Sequence, residues 1–152
     1  MTEETVTKLL LCWLENNGWE IICYDFPQSG TGICLHPNPE FRTTKNKDSF
    51  IPDIVAYKNG IVVFFENKDR FVLDDFIKVE RLRDLSLYSH SIGSLLKGIE
   101  YQQILYGIGL PFSERNADKC NSQLTKVDFV LFCEPESSVV VLYDPFDAFH
   151  VT

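Results

Sequence analysis

Two carboxylates and one ammonium, Asp53, Glu66 and Lys68, are the side chains best placed in this sequence to do chemistry together. They lie in IPDIVAYKNGIVVFFENK, residues 51–68, on either side of Asn59-Gly60. Asn-Gly between apolar, β-branched runs specifies a two-residue type I′ hairpin turn, which needs φ > 0 at both positions. With the turn at 59 and 60, Lys58 faces Ile61, and the same register sets Asp53 directly opposite Glu66. Side chains alternate along a strand with period two, so Lys68 shares the face of Glu66. Like charges opposite one another across a ladder cost a few tenths to about 1 kcal/mol, and burial adds to that cost. A divalent cation held between the carboxylates removes the conflict. Mg²⁺ (or Mn²⁺) takes oxygen ligands, commonly one or two carboxylates with waters and a substrate phosphate. Lys68 is then placed to orient or deprotonate a water, or to neutralise charge developing on a phosphate. The plainer alternative is a local Glu66–Lys68 ion pair, with Asp53 near solvent at a strand start.

The elements that must position these groups read as an α/β order. Thr2 can cap a helix whose first turn carries Glu3 and Glu4, both favourable at the positive end of the dipole. Val6, Leu9, Leu10 and Trp13 give that helix an apolar face, and Gly18 stops it. Residues 19–25, WEIICYD, form a first strand. Residues 26–50, with Pro27, Gly30, Gly32, Pro37 and Pro39, form a long loop with room for a short strand at 33–36. A loop of this length in a compact domain is usually functional or mobile. The hairpin supplies the second and third strands. Ile54, Ala56, Val63 and Phe65 line one of its faces and Val55, Tyr57, Val62 and Phe64 the other, so the sheet expects cover on both sides. Residues 74–88 and 91–106 read as helices, and 126–134 and 138–144 as strands joined by a turn at Pro135 to Ser137. The expected architecture is a mixed central sheet flanked by helices on both faces. No repeat, low-complexity tract or linker divides residues 1–152, which read as a single domain.

Composition sets outer bounds. A chain of 152 residues with 45% apolar and 13% aromatic content can bury a real core. Its longest apolar run, Leu9 to Leu14, is far short of a membrane span, and no charged-then-apolar leader opens it. The five cysteines are scattered and form no C-x-x-C pair, which points to buried free thiols in a reducing cytoplasm rather than to zinc or disulfides. A net charge of −8 weighs against a nucleic-acid partner, because phosphate binding normally rests on Lys and Arg. The basic residues are nonetheless clustered. Arg42, Lys45 and Lys47 in the long loop are the better candidates for contacts to a phosphate backbone. Lys78, Arg81 and Arg83 lie on one expected helix and read equally as solvated surface. The acidic total favours a partner subunit or a substrate gripped over a small footprint.

Pro52-Asp53, a thirteen-residue step and Glu66-Asn67-Lys68, carried on strands two and three of a helix–three strands–helices order, resemble the PD-(D/E)xK nuclease superfamily, the restriction-endonuclease-like fold. The resemblance covers the first two-thirds of the chain; residues 110–152 match only as strands that could complete the sheet. It implies an αβββαβ core and metal ligation by Asp53 and Glu66, helped by the Asn67 carbonyl, with Lys68 as the catalytic cation. Many members carry an acidic residue on the first helix that points at the metal. Glu3 or Glu4 could be that residue, and Glu3, on the stripe of Val6, Leu10 and Trp13, is favoured over Glu4; the reading in which both merely complement the dipole stands equally beside it. Downstream, Gln102 and Tyr106 in YQQILY match the Gln-x-x-x-Tyr motif of RecB-type nucleases. Their i, i+4 spacing puts them on one helix face. Gln102 would there hold a water or touch DNA near the metal, with Tyr106 toward the nucleic acid; the plainer alternative is an ordinary amphipathic helix.

The resemblance implies Mg²⁺-dependent hydrolysis of phosphodiesters, DNA as the polymer, and an endonuclease of a restriction, defence or repair system. Duplex cleavage needs two such sites, hence a homodimer or a partner subunit. The alternatives are a catalytically degenerate module that only binds a protein or nucleic-acid partner, and an unrelated α/β domain with no active centre.

Overall fold

In the computed structural model, residues 1–26, 32–39 and 49–149 are described. The Asn59-Gly60 turn forms as its sequence requires, with φ of 49° and 83° at its two positions. It joins β2 (Ile54–Lys58) to β3 (Ile61–Asn67). Their register runs from Lys58 opposite Ile61 to Ile54 opposite Phe65, one step short of Asp53 and Glu66. The remaining strands are β1 (Glu20–Tyr24), β4 (Gln103–Pro111), β5 (Phe129–Cys133) and β6 (Val139–Tyr143). The order of the six strands across the sheet is their order in the chain. β1, β2 and β3 are antiparallel, β3, β4 and β5 run parallel, and β6 is antiparallel to β5.

Parallel neighbours need crossovers. Helices α2 (Leu73–Asp84) and α3 (Ser89–Leu95) supply the first, between β3 and β4, and α4 (Glu114–Asn121) the second, between β4 and β5. Helix α1 (Glu3–Asn16) starts on the Thr2 cap, whose hydroxyl accepts from the Thr5 N–H at 3.1 Å, and ends before Gly18 at φ +85°. Val6, Leu10 and Leu14 of α1 are fully buried against Ile54, Ala56, Val63 and Phe65. On the opposite face Val55, Val62 and Phe64 pack with Phe76, Val79 and Leu82 of α2 and Ile92 of α3. The hairpin is thus covered on both sides, as its two apolar faces demanded.

Several expectations are corrected. Residues 91–106 are not one helix: α3 stops at Leu95 and β4 begins at Gln103. The run from Ile104 to Leu110 is the near-continuous apolar pattern of a parallel strand buried on both faces. Its glycines serve sheet packing, since a Cβ on Gly107 would run into the Phe129 ring and one on Gly109 into Asn67 and Leu10. Helix α2 ends at Asp84 rather than 88, and α4 lies between 106 and 126, where no element was expected, capped by the Ser113 hydroxyl, which accepts from the Asn116 N–H at 3.0 Å. The strand expected at 33–36 is a single bridge, Leu35 to Phe50. All five cysteines are free thiols, but only Cys23, Cys120 and Cys133 are buried; Cys12 is exposed and Cys34 half-buried. Among the described residues no helix is long and apolar enough to cross a membrane.

Candidate active site

Strand pairing carries Asp53 and Glu66 to the end of β2 and β3 where α2 begins. By alternation both belong to the α2 face, with Val55, Val62 and Phe64. Each is more than nine-tenths buried, at 7% and 6% exposure. Asp53 is anchored there, because its Oδ2 accepts from the Asn67 backbone N–H at 2.7 Å. Glu66 is held from one side only: Lys78 Nζ lies 3.4 Å from Oε1, while Oε2 is buried with no hydrogen-bond partner among the described residues. The plain alternative of a Glu66–Lys68 pair with Asp53 near solvent is therefore not what forms. Glu66 pairs with Lys78, Lys68 pairs with Glu3 at 3.9 Å, and Asp53 is buried.

Burial and mutual repulsion set the electrostatics. Burial first, then the charge of Glu66, push Asp53 up to about 8, against the Asn67 hydrogen bond; Glu3 and Asp25 add to the rise. Burial likewise pushes Glu66 up to about 7, against Lys78 and Lys68 and with Asp75 adding to it. Burial opposes the charge on Lys68, but Asp75, Glu3, Glu66 and Asp53 together outweigh it and hold the ammonium more firmly protonated. Lys68 is thus a cation aimed at a crowd of carboxylates, suited to neutralising charge and poorly suited to removing a proton.

Other expected residues fall in different places. Glu3 is the residue of the first helix that reaches the site, through Lys68; Glu4 pairs with Lys8 at 3.5 Å on the surface. The side chain of Asn67 lies on the α1 side, where Nδ2 donates to Thr7 Oγ1 at 3.1 Å. Any part of Asn67 in metal ligation therefore falls to its backbone carbonyl. Gln102 and Tyr106 do not share a helix face. Gln102 precedes β4 at the opposite end of the sheet, its N–H donating to the Gly60 carbonyl at 2.8 Å, roughly 16 Å of strand from Glu66. Tyr106 is buried in β4 with its ring 5.3 Å from that of Phe64, and its hydroxyl is pushed up to about 12, chiefly by burial. A phenol so enclosed presents no surface to a nucleic acid. Arg42, Lys45 and Lys47 lie outside the described residues. Of the basic helix residues, Arg83 is occupied with Asp84, Asp128 and the Thr125 carbonyl. Lys78 and Arg81 instead line a groove of about 400 Å³ between α2 and Ser49-Phe50.

Two side chains at the site were not anticipated. Lys78 bridges Glu66 and the Phe50 ring, with Nζ 4.7 Å from the ring centroid. Asp75, in the first turn of α2, is buried with Oδ2 unpartnered among the described residues. Asp74-Asp75 reads as a pair of acids complementing a helix dipole. The overlooked signal is spacing: Asp75, Val79 and Leu82 recur at i, i+4, i+7 and so share the buried stripe.

Among the described residues no three His, Cys, Asp or Glu side chains gather closely enough to enclose a metal ion. What the site offers is a buried carboxylate pair with an orphaned oxygen, together with raised proton affinities that a cation would relieve. That donor set suits a hard cation which keeps most of its waters and takes only one or two carboxylates. No known family model matches the chain, and no curated protein matches it.

Proposed function

We propose that this chain is a divalent-metal-dependent nuclease of PD-(D/E)xK type that hydrolyses phosphodiesters in DNA. The observation that carries the reading is the buried Asp53–Glu66 pair on one sheet face, with Glu66 Oε2 unpartnered and the Lys68 ammonium beside it. An orphaned, dry carboxylate oxygen is destabilising unless something fills it. The order α1, β1, β2, β3, α2, with β4 returning parallel to β3, supports a restriction-endonuclease-like core.

Asp53 and Glu66 would hold Mg²⁺ or Mn²⁺, with the Asn67 carbonyl as a further ligand. The bound ion would polarise the phosphoryl group and acidify a water. Asp53 is kept in place by the Asn67 N–H, so its oxygens stay aimed without relying on a flexible side chain. Lys68 orients the attacking water and neutralises charge building on the phosphoryl oxygens. Glu3 keeps Lys68 at the edge of the site through their contact at 3.9 Å. The groove beside α2 would receive the flanking backbone, bringing its phosphates to Lys78 and Arg81. Cutting a duplex requires a second such centre, from another copy of this chain or from a partner subunit. The free thiols accord with a reducing cytoplasm.

The test is cleavage of supercoiled and single-stranded DNA with Mg²⁺ and with EDTA, by wild type, Asp53→Ala and Lys68→Ala. Cleavage in EDTA, or full activity in either variant, would reject the assignment. One competing reading has its own support. The lack of a three-carboxylate cluster among the described residues and the charge of −8 both fit a degenerate module that binds a partner without cutting. Calorimetric titration with Mn²⁺ separates the two, since the module predicts no uptake.

A further inference from the structure

The groove beside α2 is built unlike a plain track for phosphates. Its cations, Lys78 and Arg81, are joined there by the apolar side chains of Phe50, Ile77, Leu87 and Tyr88 and by the carboxylate of Asp74. A phosphate gains nothing from those apolar walls, and Asp74 repels it. Asp74, Ile77, Lys78 and Arg81 recur at i, i+3, i+4 and i+7, so they stand on one face of α2. Ile77 is 38% exposed, a large apolar side chain left open to water beside two cations. Arg81 makes no ion pair among the described residues, whereas Arg83, two positions on, is held by Asp84 and Asp128. The groove adjoins the carboxylate site, because Lys78 lines it while its Nζ lies 3.4 Å from Glu66 Oε1. At about 400 Å³ it suits a group the size of one nucleotide. A paired base is stacked inside its duplex, but an unpaired one has a free apolar face and a free hydrogen-bonding edge.

We propose that this groove takes one unpaired base of a single DNA strand, close to the phosphate that is cut. The inference rests on the nuclease reading for what happens to the strand, and narrows its substrate from DNA in general to unpaired DNA. The base packs on Ile77 and on the rims of Phe50 and Tyr88, which leave little else of their rings exposed. Its amino edge, such as the N4 group of cytosine, donates to Asp74. The phosphates on either side meet Arg81 and Lys78. Contact with the base supplies affinity that a chain of net charge −8 draws poorly from phosphates alone. One centre suffices to cut a single strand, so this substrate needs no second copy of the chain.

The test is fluorescence anisotropy of an end-labelled oligo(dC) strand and of a fully abasic strand of the same length, with Ca²⁺ in place of Mg²⁺. Wild type, Ile77→Ser, Asp74→Ser and Arg81→Gln are compared; all three positions are exposed, and melting checks that the variants fold. Wild type should bind oligo(dC) about 10–100-fold more tightly than the abasic strand, the usual contribution of a stacked base. Ile77→Ser and Asp74→Ser should each lose most of that preference, and Arg81→Gln should weaken both strands alike. Equal binding of the two strands by wild type, or none, overturns the inference. So does tighter binding of both strands by Asp74→Ser, the result expected if Asp74 only repels phosphate. The preference without any cleavage in Mg²⁺ overturns the nuclease reading and leaves the groove as a site for unpaired bases. Cleavage in Mg²⁺ without the preference keeps the nuclease reading and removes this inference alone.

Discussion

Two places in this sheet bury carboxylates, and they treat them in opposite ways. Asp128, just ahead of β5, is 8% exposed and fully engaged. Its Oδ2 accepts from the Tyr106 N–H at 2.9 Å and its Oδ1 from Arg83 Nη1 at 3.4 Å. Burial raises its proton affinity, but the Tyr106 N–H and Arg83 both work against that rise. At the other site Glu66 and Asp75 each keep an oxygen with no donor among the described residues, and Asp53 has Glu66 for a neighbour where Asp128 has an arginine. The fold evidently supplies donors where a carboxylate is a clamp, tying α2 to β4 and β5. Where it withholds them, the carboxylates retain binding capacity for something from outside, at a cost in stability that an engaged carboxylate does not impose.

The contrast is broken most forcefully through activity. Lys68→Ala should lower the rate of Mg²⁺-dependent DNA cleavage by about 10²–10³-fold, the usual loss when one group stabilising developing charge is removed. Asp128→Asn should leave cleavage per folded molecule unchanged, as a nuclease assay corrected for active protein will register.

The next effect is on pH. Asp53 and Glu66 are acids whose folded values are raised, to about 8 and about 7. The stability they contribute is complete below their unfolded values near 4 and is lost as pH climbs through the folded ones. In EDTA the chain should therefore weaken between about pH 5 and about pH 8.5, by on the order of 3 kcal/mol for the coupled pair. Urea midpoints at the two pH values give the measurement. Mg²⁺ should recover much of the loss, and Asp53→Asn, tested without metal at the higher pH, should melt higher than wild type. A flat or rising profile in EDTA would remove the basis for a strained acidic pair.

Asp128→Ala carries the opposite sign. It strands the Tyr106 N–H and the Arg83 guanidinium, and should cost about 2 kcal/mol in chemical denaturation. A smaller change, about 1 kcal/mol, is expected from Asn59→Ala, since alanine is disfavoured at the φ of 49° that the hairpin demands. That variant should keep the register, and with it the cleavage activity, because the apolar faces on either side still choose the same pairing.

What could be read directly from the chain was local. A two-residue turn of known handedness carries its register outward, so residues 54 to 58 and 61 to 65 pair as Asn59-Gly60 implied. The same logic put Asp53 and Glu66 on one face, and helix spacing singled out Glu3 over Glu4. Reading failed where two structures share one local pattern. Ile104 to Leu110 is apolar enough for a buried helix or a buried strand, and only the neighbours β3 and β5 settle which, by offering ladders on both edges. Once that run is a strand, Gln102 lies far from Glu66 and Tyr106 is sealed in the core. Asp75 and Lys78 arrive at the site for the converse reason. They lie twelve residues or fewer from Glu66 in the chain, but no period links a strand residue to one on a following helix. The crossover from β3 to β4 lays α2 on the face that carries Glu66, and that packing, driven by Phe76, Val79 and Leu82, brings their charges together.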